Sequence, residues 1–291
     1  MDRHDRERYF RNQPRRVPLR YAEHAGDKQF ATTLARGIEL LRCFTAEDTE
    51  LSNADFAART GLPRPTVSRL TYTLTVLGYL RHDARSGRYA LDSALISVTY
   101  PLMASLSLRQ QARPLMDELA EATGGQVAMG IRDRLNVVLV EASRPPAGWT
   151  ARGPTADVGL SLPIAGSSIG RAYLAGLAPA ARETLLNELR VKAPDDWAQF
   201  EPGLRGALRE HARHGFCVVD GTLVSEVLSV GASYGPVPGG QHVAFNCAFR
   251  RDLLPPGRGA SWLRSDVGPR LAAMVRRLRE ASPPVAVESP R

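Results

Sequence analysis

Two groups of residues carry side chains suited to chemistry. The first is Gly166-Ser167-Ser168-Ile169-Gly170, a serine held between glycines in a GxSxG pattern. It follows the strand-like segment GLSLPI and opens a helical one, the setting in which such a serine is presented as a nucleophile. Asp195, Asp196 or Asp220 would supply the acid and His242 the base, so one reading is a serine hydrolase. Against it, the chain after Ser168 is short and no HGGG-type loop precedes the serine to hold an oxyanion. The glycines also have a plainer use, a tight turn whose amides are free to hold a ligand. The second group is Arg64, Pro65, Thr66, Ser68, Arg69 and Tyr72. Hydroxyls, an arginine fork and a ring, presented from the first turns of a helix, are the groups that read base edges in a DNA major groove.

The elements around the second group fit that use. Leu34, Ile38, Leu41 and Cys43–Phe44 recur at helical spacing, so a helix is predicted from Thr33 to Phe44. Ser52, with Asp55 three residues on, is a capping box opening the helix ADFAART, which Gly61 ends. A longer helix is predicted from Pro65 to about Leu77, closed by Gly78. Arg64, which precedes a proline, is expected to be extended. Val67, Leu70, Leu74 and Leu77 share one face of that helix and are expected to be buried, which turns Ser68, Arg69 and Tyr72 outward. Tyr79–Arg81 and Arg88–Leu91 flank a polar turn, predicting a hairpin with Arg85 near its tip and Arg81 and Arg88 on its strands. Helix, turn, helix and hairpin make a winged helix-turn-helix. Between residues 56 and 91 six arginines face one aspartate, and Arg36 on the preceding helix is a further candidate DNA contact.

The 291-residue chain carries a net charge of +8, which suits a polyanionic partner. Cys43, Cys217 and Cys247 are odd in number and widely spaced, with no CxxC pair, so neither a disulfide framework nor structural zinc is expected. His211 and His214 have a metal-compatible spacing but no patterned Cys or acid beside them, which favours a solvated helix face. No metal or cofactor is expected. The charged start MDRHDRER and the lack of a long apolar run predict a soluble cytoplasmic protein.

The organisation follows. Residues 1–29 read as a disordered basic arm, 30–92 as the winged helix, 93–122 as a linker helix with the stripe Leu108, Leu115, Leu119 and Ala122, 123–281 as an α/β domain and 282–291 as a disordered Pro-rich tail. In the α/β domain QVAMGI, NVVLVEA, GLSLPIA, FCVVD, VLSVGAS and QHVAFNCAF read as strands, and SSIGRAYLAGL, PAARETLLNELR and GALREHARHG as helices.

LARGIELLRCF and DFAARTGLPRPTVSRLTYTLTVLGYLRHDARSGRYAL resemble the N-terminal domain of IclR-type transcriptional regulators. LPIAGSSIGRAYLAGL, HGFCVVDGTLVSEVLSVGAS and VAFNCAF resemble segments of the C-terminal domain of that family, so the resemblance spans residues 32–275. It implies an α+β chain: a winged helix on double-stranded DNA, and a GAF/PAS-like domain that senses a small molecule. It also implies dimers, often paired into tetramers. An ungapped match puts Val219 where an Asp is common, Ser229 where a Cys or small residue is usual, and Asn246 and Ala248 where serines are frequent. A larger, partly apolar effector, an aromatic or other small organic acid, is then expected. The candidate walls are Met129, Ile131, Leu139, Ser229, Gly231, Phe245 and Asn246, with the turn at Gly166, Ser167 and Ser168, and a mouth at Phe216 and Asp220. Strand alternation allows only one of the sets Phe245/Cys247 and Asn246/Ala248 to line the pocket.

Overall fold

The computed structural model describes residues 26–145 and 157–282, so most of the basic arm and the tail beyond Ser282 lie outside it. The chain divides into two compact units, Met1–Leu106 and Ser107–Arg291. No helix among the described residues is long and apolar enough to cross a membrane.

The first unit contains α1 (Thr32–Leu41), β1 (Leu51–Ser52), α2 (Asn53–Thr60), α3 (Arg64–Val76), β2 (Leu80–Asp83), β3 (Arg88–Leu91) and α4 (Ala94–Ser105). The capping box forms: Asp55 N–H donates to Ser52 Oγ at 3.2 Å, and Ser52 N–H donates to the Asp55 carboxylate at 2.8 Å. Gly61 then ends α2 in the left-handed region at φ +71°, where a side chain would be strained. Leu40, Leu51, Phe56, Leu62, Val67 and Leu70 form the core, with the Phe44 ring edge-on to Phe56 at 5.5 Å. Fully burying a side chain such as Phe56 stabilises the unit by about 1.5–3 kcal/mol. The wing has a third strand that sequence patterning does not reveal, because β1 is only two residues long and pairs with β3.

Three expectations for this unit are corrected. On α1 the buried side is Ala35, Gly37 and Leu40, and Leu34 and Ile38 are exposed. Arg64 is the first residue of α3 rather than extended; Pro63 is the extended N-cap and Pro65 sits within the first turn, where its missing N–H still costs nothing. Leu77 caps the end of α3 and is 58% exposed; the last turn outruns the core, and the buried face is completed instead by Thr71, whose hydroxyl donates to Asn53 Oδ1 and Ser68 O.

The second unit contains α5 (Leu108–Thr123), β4 (Gln126–Asp133), β5 (Asn136–Ser143), β6 (Ser161–Pro163), α6 (Ser168–Gly176), α7 (Pro179–Lys192), α8 (Pro194–His214), β7 (Cys217–Asp220), β8 (Val227–Pro236) and β9 (His242–Arg250). After a π-helical turn at Leu263–Val267, α9 (Gly268–Ala281) follows. The strands form one antiparallel sheet, in the order β6-β5-β4-β9-β8-β7. The stretch 93–122 is two helices, α4 and α5, broken at Leu106–Ser107 where Leu106 leaves the helical region. The buried stripe of α5 is Leu108, Ala112, Met116, Leu119, Ala120 and Thr123, so Ala122 is exposed and Leu115 only half-buried.

The two faces of the sheet have different cover. One packs against α6, α7 and α8 through Ala128, Val137, Leu139, Cys217 and Ala244, opposite Ile169, Ala172, Phe200 and Leu204. On the other face Cys247 meets Thr123 of α5, Phe216 seats on Gly268 of α9 and the Phe249 ring lies 5.0 Å from Trp262. A bulge places Val140 opposite no residue of β4. Leu139 therefore points toward α6 while Glu141 points toward α5, where Arg109 donates to it at 2.9 Å.

Candidate DNA interface and effector pocket

The outward side of α3 is laid out as the phasing requires. Arg64, Pro65, Ser68, Arg69 and Tyr72 are exposed and Thr66 is half-exposed, above the buried Val67, Leu70 and Thr71. The wing tip is built by Asp83, whose carboxylate accepts from Arg85 N–H at 2.9 Å and from the Ser86 hydroxyl at 2.7 Å. Those bonds hold the Asp83 carboxyl below its ordinary range. Gly87 closes the turn at φ +68°. Asp83 is a residue that sequence reading counted only as a charge; its place just before a Ser-Gly turn was the available signal.

The arginines divide into two sets. Arg59 pairs with Asp48 at 2.7 Å, and Arg88 donates to Glu50 O at 2.9 Å with Asp55 3.7 Å away. Both are thus tied to their own domain while staying exposed, and Arg88 braces the wing through Glu50 O. Arg36 is half-buried on α1. Arg64, Arg69, Arg81 and Arg85 are exposed and make no ion pair among the described residues. These four, with the amides of the first turn of α3, form the basic surface.

In the second unit the expected pocket residues fall on both faces of the sheet. Asn246 pairs with Ala128 and Gly231, and Ser229 with Val219 and Ala248; with Leu139 these lie on the α6 face. Met129 and Phe245 pair with each other and Ile131 with Val243, so all three lie on the opposite face and cannot line the same cavity. Phe216 is not at a mouth; its ring packs on Gly268. Asp220 is exposed and ion-paired with Arg251. Gly231 acts as a spacer rather than a wall, because α6 lies so close that a Cβ there would be 2.1 Å from Ser168 O.

The α6 face keeps several polar atoms dry. Ser167 caps α6, its hydroxyl accepting from Gly170 N–H at 3.1 Å. Ser168 Oγ, Asn246 Oδ1 and Arg171 Nη2 are buried and have no hydrogen-bond partner among the described residues. Gly166 packs against Phe200 and Leu223, apolar residues that sequence reading missed because both sit on segments with no pocket signature.

The catalytic alternative is not assembled here. His242 Nε2 is bonded to Gly176 O at 3.2 Å, eight residues along α6 from Ser168, about 12 Å by helical rise. Asp220 is held by Arg251. His211, expected on a solvated face, is half-buried and accepts from Ser233 N–H at 3.2 Å. Among the described residues no group of three or more His, Cys, Asp or Glu could hold a metal ion.

Residues 33–84 match the IclR helix-turn-helix domain, and residues 101–235 match the C-terminal domain of bacterial IclR transcriptional regulators. The chain is 35% identical over 259 residues to the HTH-type transcriptional regulator TsaQ1/TsaQ2 of Comamonas testosteroni, covering 88% of this chain and 91% of that one. The chain belongs to the IclR family of transcriptional regulators. This IclR-type regulator superposes on the crystal structure of an IclR family regulator from Brucella abortus with a TM-score of 0.76 at 40% identity, covering 92% of this chain and 98% of that one. It shares its fold with an IclR homologue from Microbacterium hydrocarbonoxydans complexed with 4-hydroxybenzoate, at TM-score 0.63 and 21% identity, covering 86% and 100% of the two chains. Its first unit is therefore the DNA-binding domain of a regulator, and its second the effector-binding domain.

Proposed function

We propose that α3 reads base edges through Arg64, Ser68, Arg69 and Tyr72, while Arg81 and the wing-tip Arg85 hold phosphates. The observation that carries this is the division of the arginines: those on α3 and the wing tip are exposed without an acidic partner among the described residues, whereas Arg59 and Arg88 are engaged within the domain. Arg69→Ala should lose about 1–3 kcal/mol of discrimination between operator and random DNA, as expected for a fork on a guanine. Arg85→Ala should weaken both DNAs alike and reduce the salt slope by about one. Competition binding across a salt series checks both; equal losses on both DNAs for Arg69→Ala would assign it to phosphate.

A second copy of the chain is the partner we infer for α4. This helix has no charged residue and no buried side chain, and Ile96, Val98 and Tyr100 are 73%, 60% and 70% exposed. Leu34 and Ile38 of α1 add to the exposed apolar surface of this unit. Water disfavours such a surface, and a two-fold operator needs two recognition helices. The double variant Ile96→Asp/Tyr100→Asp should sediment as a lighter species and lose at least tenfold in operator affinity, with its helical circular dichroism kept. A variant that sediments like the parent would remove α4 from the interface.

The α6 face of the second unit, with Leu139, Phe200 and Leu223 beside Ser168, Ser229 and Asn246, suits a small organic effector with an apolar body. An aromatic acid fits that description, and 4-hydroxybenzoate is the natural first compound to try. Regulation requires that the effector bind the DNA-competent and incompetent states unequally. We read the chain as a regulator and not a hydrolase, a reading supported by the separation of His242 from Ser168.

A further inference from the structure

Arg171 carries a charge that the effector-binding domain does not answer. The residue is 3% exposed, and its Nε donates to Ala165 O at 2.8 Å. Its head group lies against Gly203 of α8, where a Cβ would stand 3.0 Å from Nη2 and 3.2 Å from Nη1. Nη2 is buried with no hydrogen-bond partner, and no carboxylate lies within ion-pair distance of the guanidinium among the described residues. The elements packed around it supply Phe200, Gly203 and Leu204 from α8 and Cys217 from β7, none of them acidic. Burial pushes the guanidinium below its ordinary range, yet arginine is the side chain least able to escape burial by losing its proton.

A buried charge without a partner is disfavoured in a folded protein unless something supplies the opposite charge. Position and neighbours say where that would come from. Ser168, three residues earlier on α6, is 1% exposed and has a hydroxyl without a partner among the described residues. Residues three apart share a side of a helix, so Ser168 Oγ and the Arg171 fork lie on one side of α6. Ser167 caps Gly170 N–H and leaves the amides of Ser168 and Ile169 without an intrahelical acceptor, at the positive end of the helix. Ala165 O, to which Arg171 is anchored, is next to Gly166, the glycine that Phe200 and Leu223 cover. Cation, hydroxyl and helix terminus thus lie in the first turn of α6, beside an apolar surface.

We propose that Arg171 is the counter-charge for an anionic effector. The ligand is a small organic carboxylate, its charged end received by Arg171 Nη2 and Ser168 Oγ and its apolar body lying along Phe200 and Leu223. Gly203 is part of the site because any side chain there would crowd the fork. The assignment rests on the α6 face being the effector pocket.

Thermal unfolding of the full chain tests it, at matched ionic strength, with acetate, benzoate and 4-hydroxybenzoate against acetamide, benzamide and 4-hydroxybenzamide. At least one carboxylate should raise Tm by several degrees where its amide does not. Arg171→Met should abolish that shift while unfolding no lower than wild type, since the unanswered charge has gone. Arg171→Lys should keep part of the shift. Gly203→Ala, an easy change in a helix, should weaken it with the fold intact. If Arg171→Met unfolds several degrees lower and its carboxylate shift survives, Arg171 is only a tie to Ala165 and the proposal is wrong. If amide and acid stabilise equally, the pocket reading stands and the anion assignment falls. If no compound of either class shifts Tm, the assignment to small carboxylates is overturned.

Discussion

Gly231→Ala should lower the stability of the effector-binding domain by about 3 kcal/mol or more, a fall in Tm of roughly 6–12 °C for a unit of this size. The added Cβ would lie 2.1 Å from Ser168 O, 2.6 Å from Ser168 C and 3.1 Å from the Ala172 methyl. The first two obstacles are backbone, so no rotamer change relieves the clash; β8 and the start of α6 must separate. That movement also displaces Ser168, so carboxylate-induced stabilisation should vanish with it. Gly206→Ala is the control. It lies in α8 with nothing within 4 Å of the new methyl, and should be neutral or stabilising. Scanning calorimetry on both variants checks this. A Gly231→Ala protein unfolding within 2 °C of wild type would mean that α6 is not seated on β8 as described.

Acidification should destabilise the same domain through His211, and His211→Gln should remove most of the effect. Burial, with a smaller contribution from Arg279, pushes the His211 imidazole from 6.5 down to about 4. The neutral ring accepts from Ser233 N–H, and Arg279 donates to Ser233 O at 2.6 Å and to Tyr234 O at 2.8 Å. The folded protein therefore resists protonation that the unfolded chain accepts. Above pH 6.5 both states are neutral and stability is unaffected. Between 6.5 and about 4 the unfolded state binds the proton alone and stability falls with pH. Below about 4 both are charged and the loss stops growing. The full loss is roughly 3 kcal/mol. Glutamine can accept from Ser233 N–H without titrating, so the Tm of wild type should fall relative to that of His211→Gln as pH falls from 7 to 4.5. His242, also pushed down by burial, keeps its share in both proteins. Parallel pH profiles for the two proteins would rule out His211 as the source.

The DNA-binding domain was largely legible in the sequence because its signals are local. A capping box, glycines after helices and a 3.6-residue repeat each act within a turn or two of chain, and Ser52–Asp55, Gly61, Gly78 and the outward set on α3 sit where those signals placed them. The errors came where a local pattern meets a boundary set elsewhere. Leu77 continues the apolar repeat of α3 but lies past the edge of the core, and Leu34 and Ile38 repeat on α1 without being covered. Helix α9 was overlooked although Leu271, Met274, Val275 and Leu278 have the spacing of an amphipathic helix.

The second unit shows the other side of this division. Alternation along VAFNCAF determined by itself that Asn246 and Phe245 face opposite ways. Only the pairing of β9 with β4 and β8, and the cover of α6 on one face and α9 on the other, decided that Asn246 faces α6. The bulge at Val140 reverses the facing of β5 within the continuous apolar run Val137-Val138-Leu139-Val140, which carries no signal of the break. Arg59 and Arg88 count as DNA-facing charge in the sequence and prove to be paired within the domain, at its surface, once Asp48, Glu50 and Asp55 are folded against them. Arg171 reads in the sequence as one more basic residue on a helix; its burial without a counter-charge among the described residues is a property of α6, α8 and β7 together. Residue type and spacing determine what a segment does within one turn of helix or one strand. Which face is buried, which charge is answered and which polar atom is left dry depend on contacts between residues far apart in the chain, and those the tertiary structure alone decides.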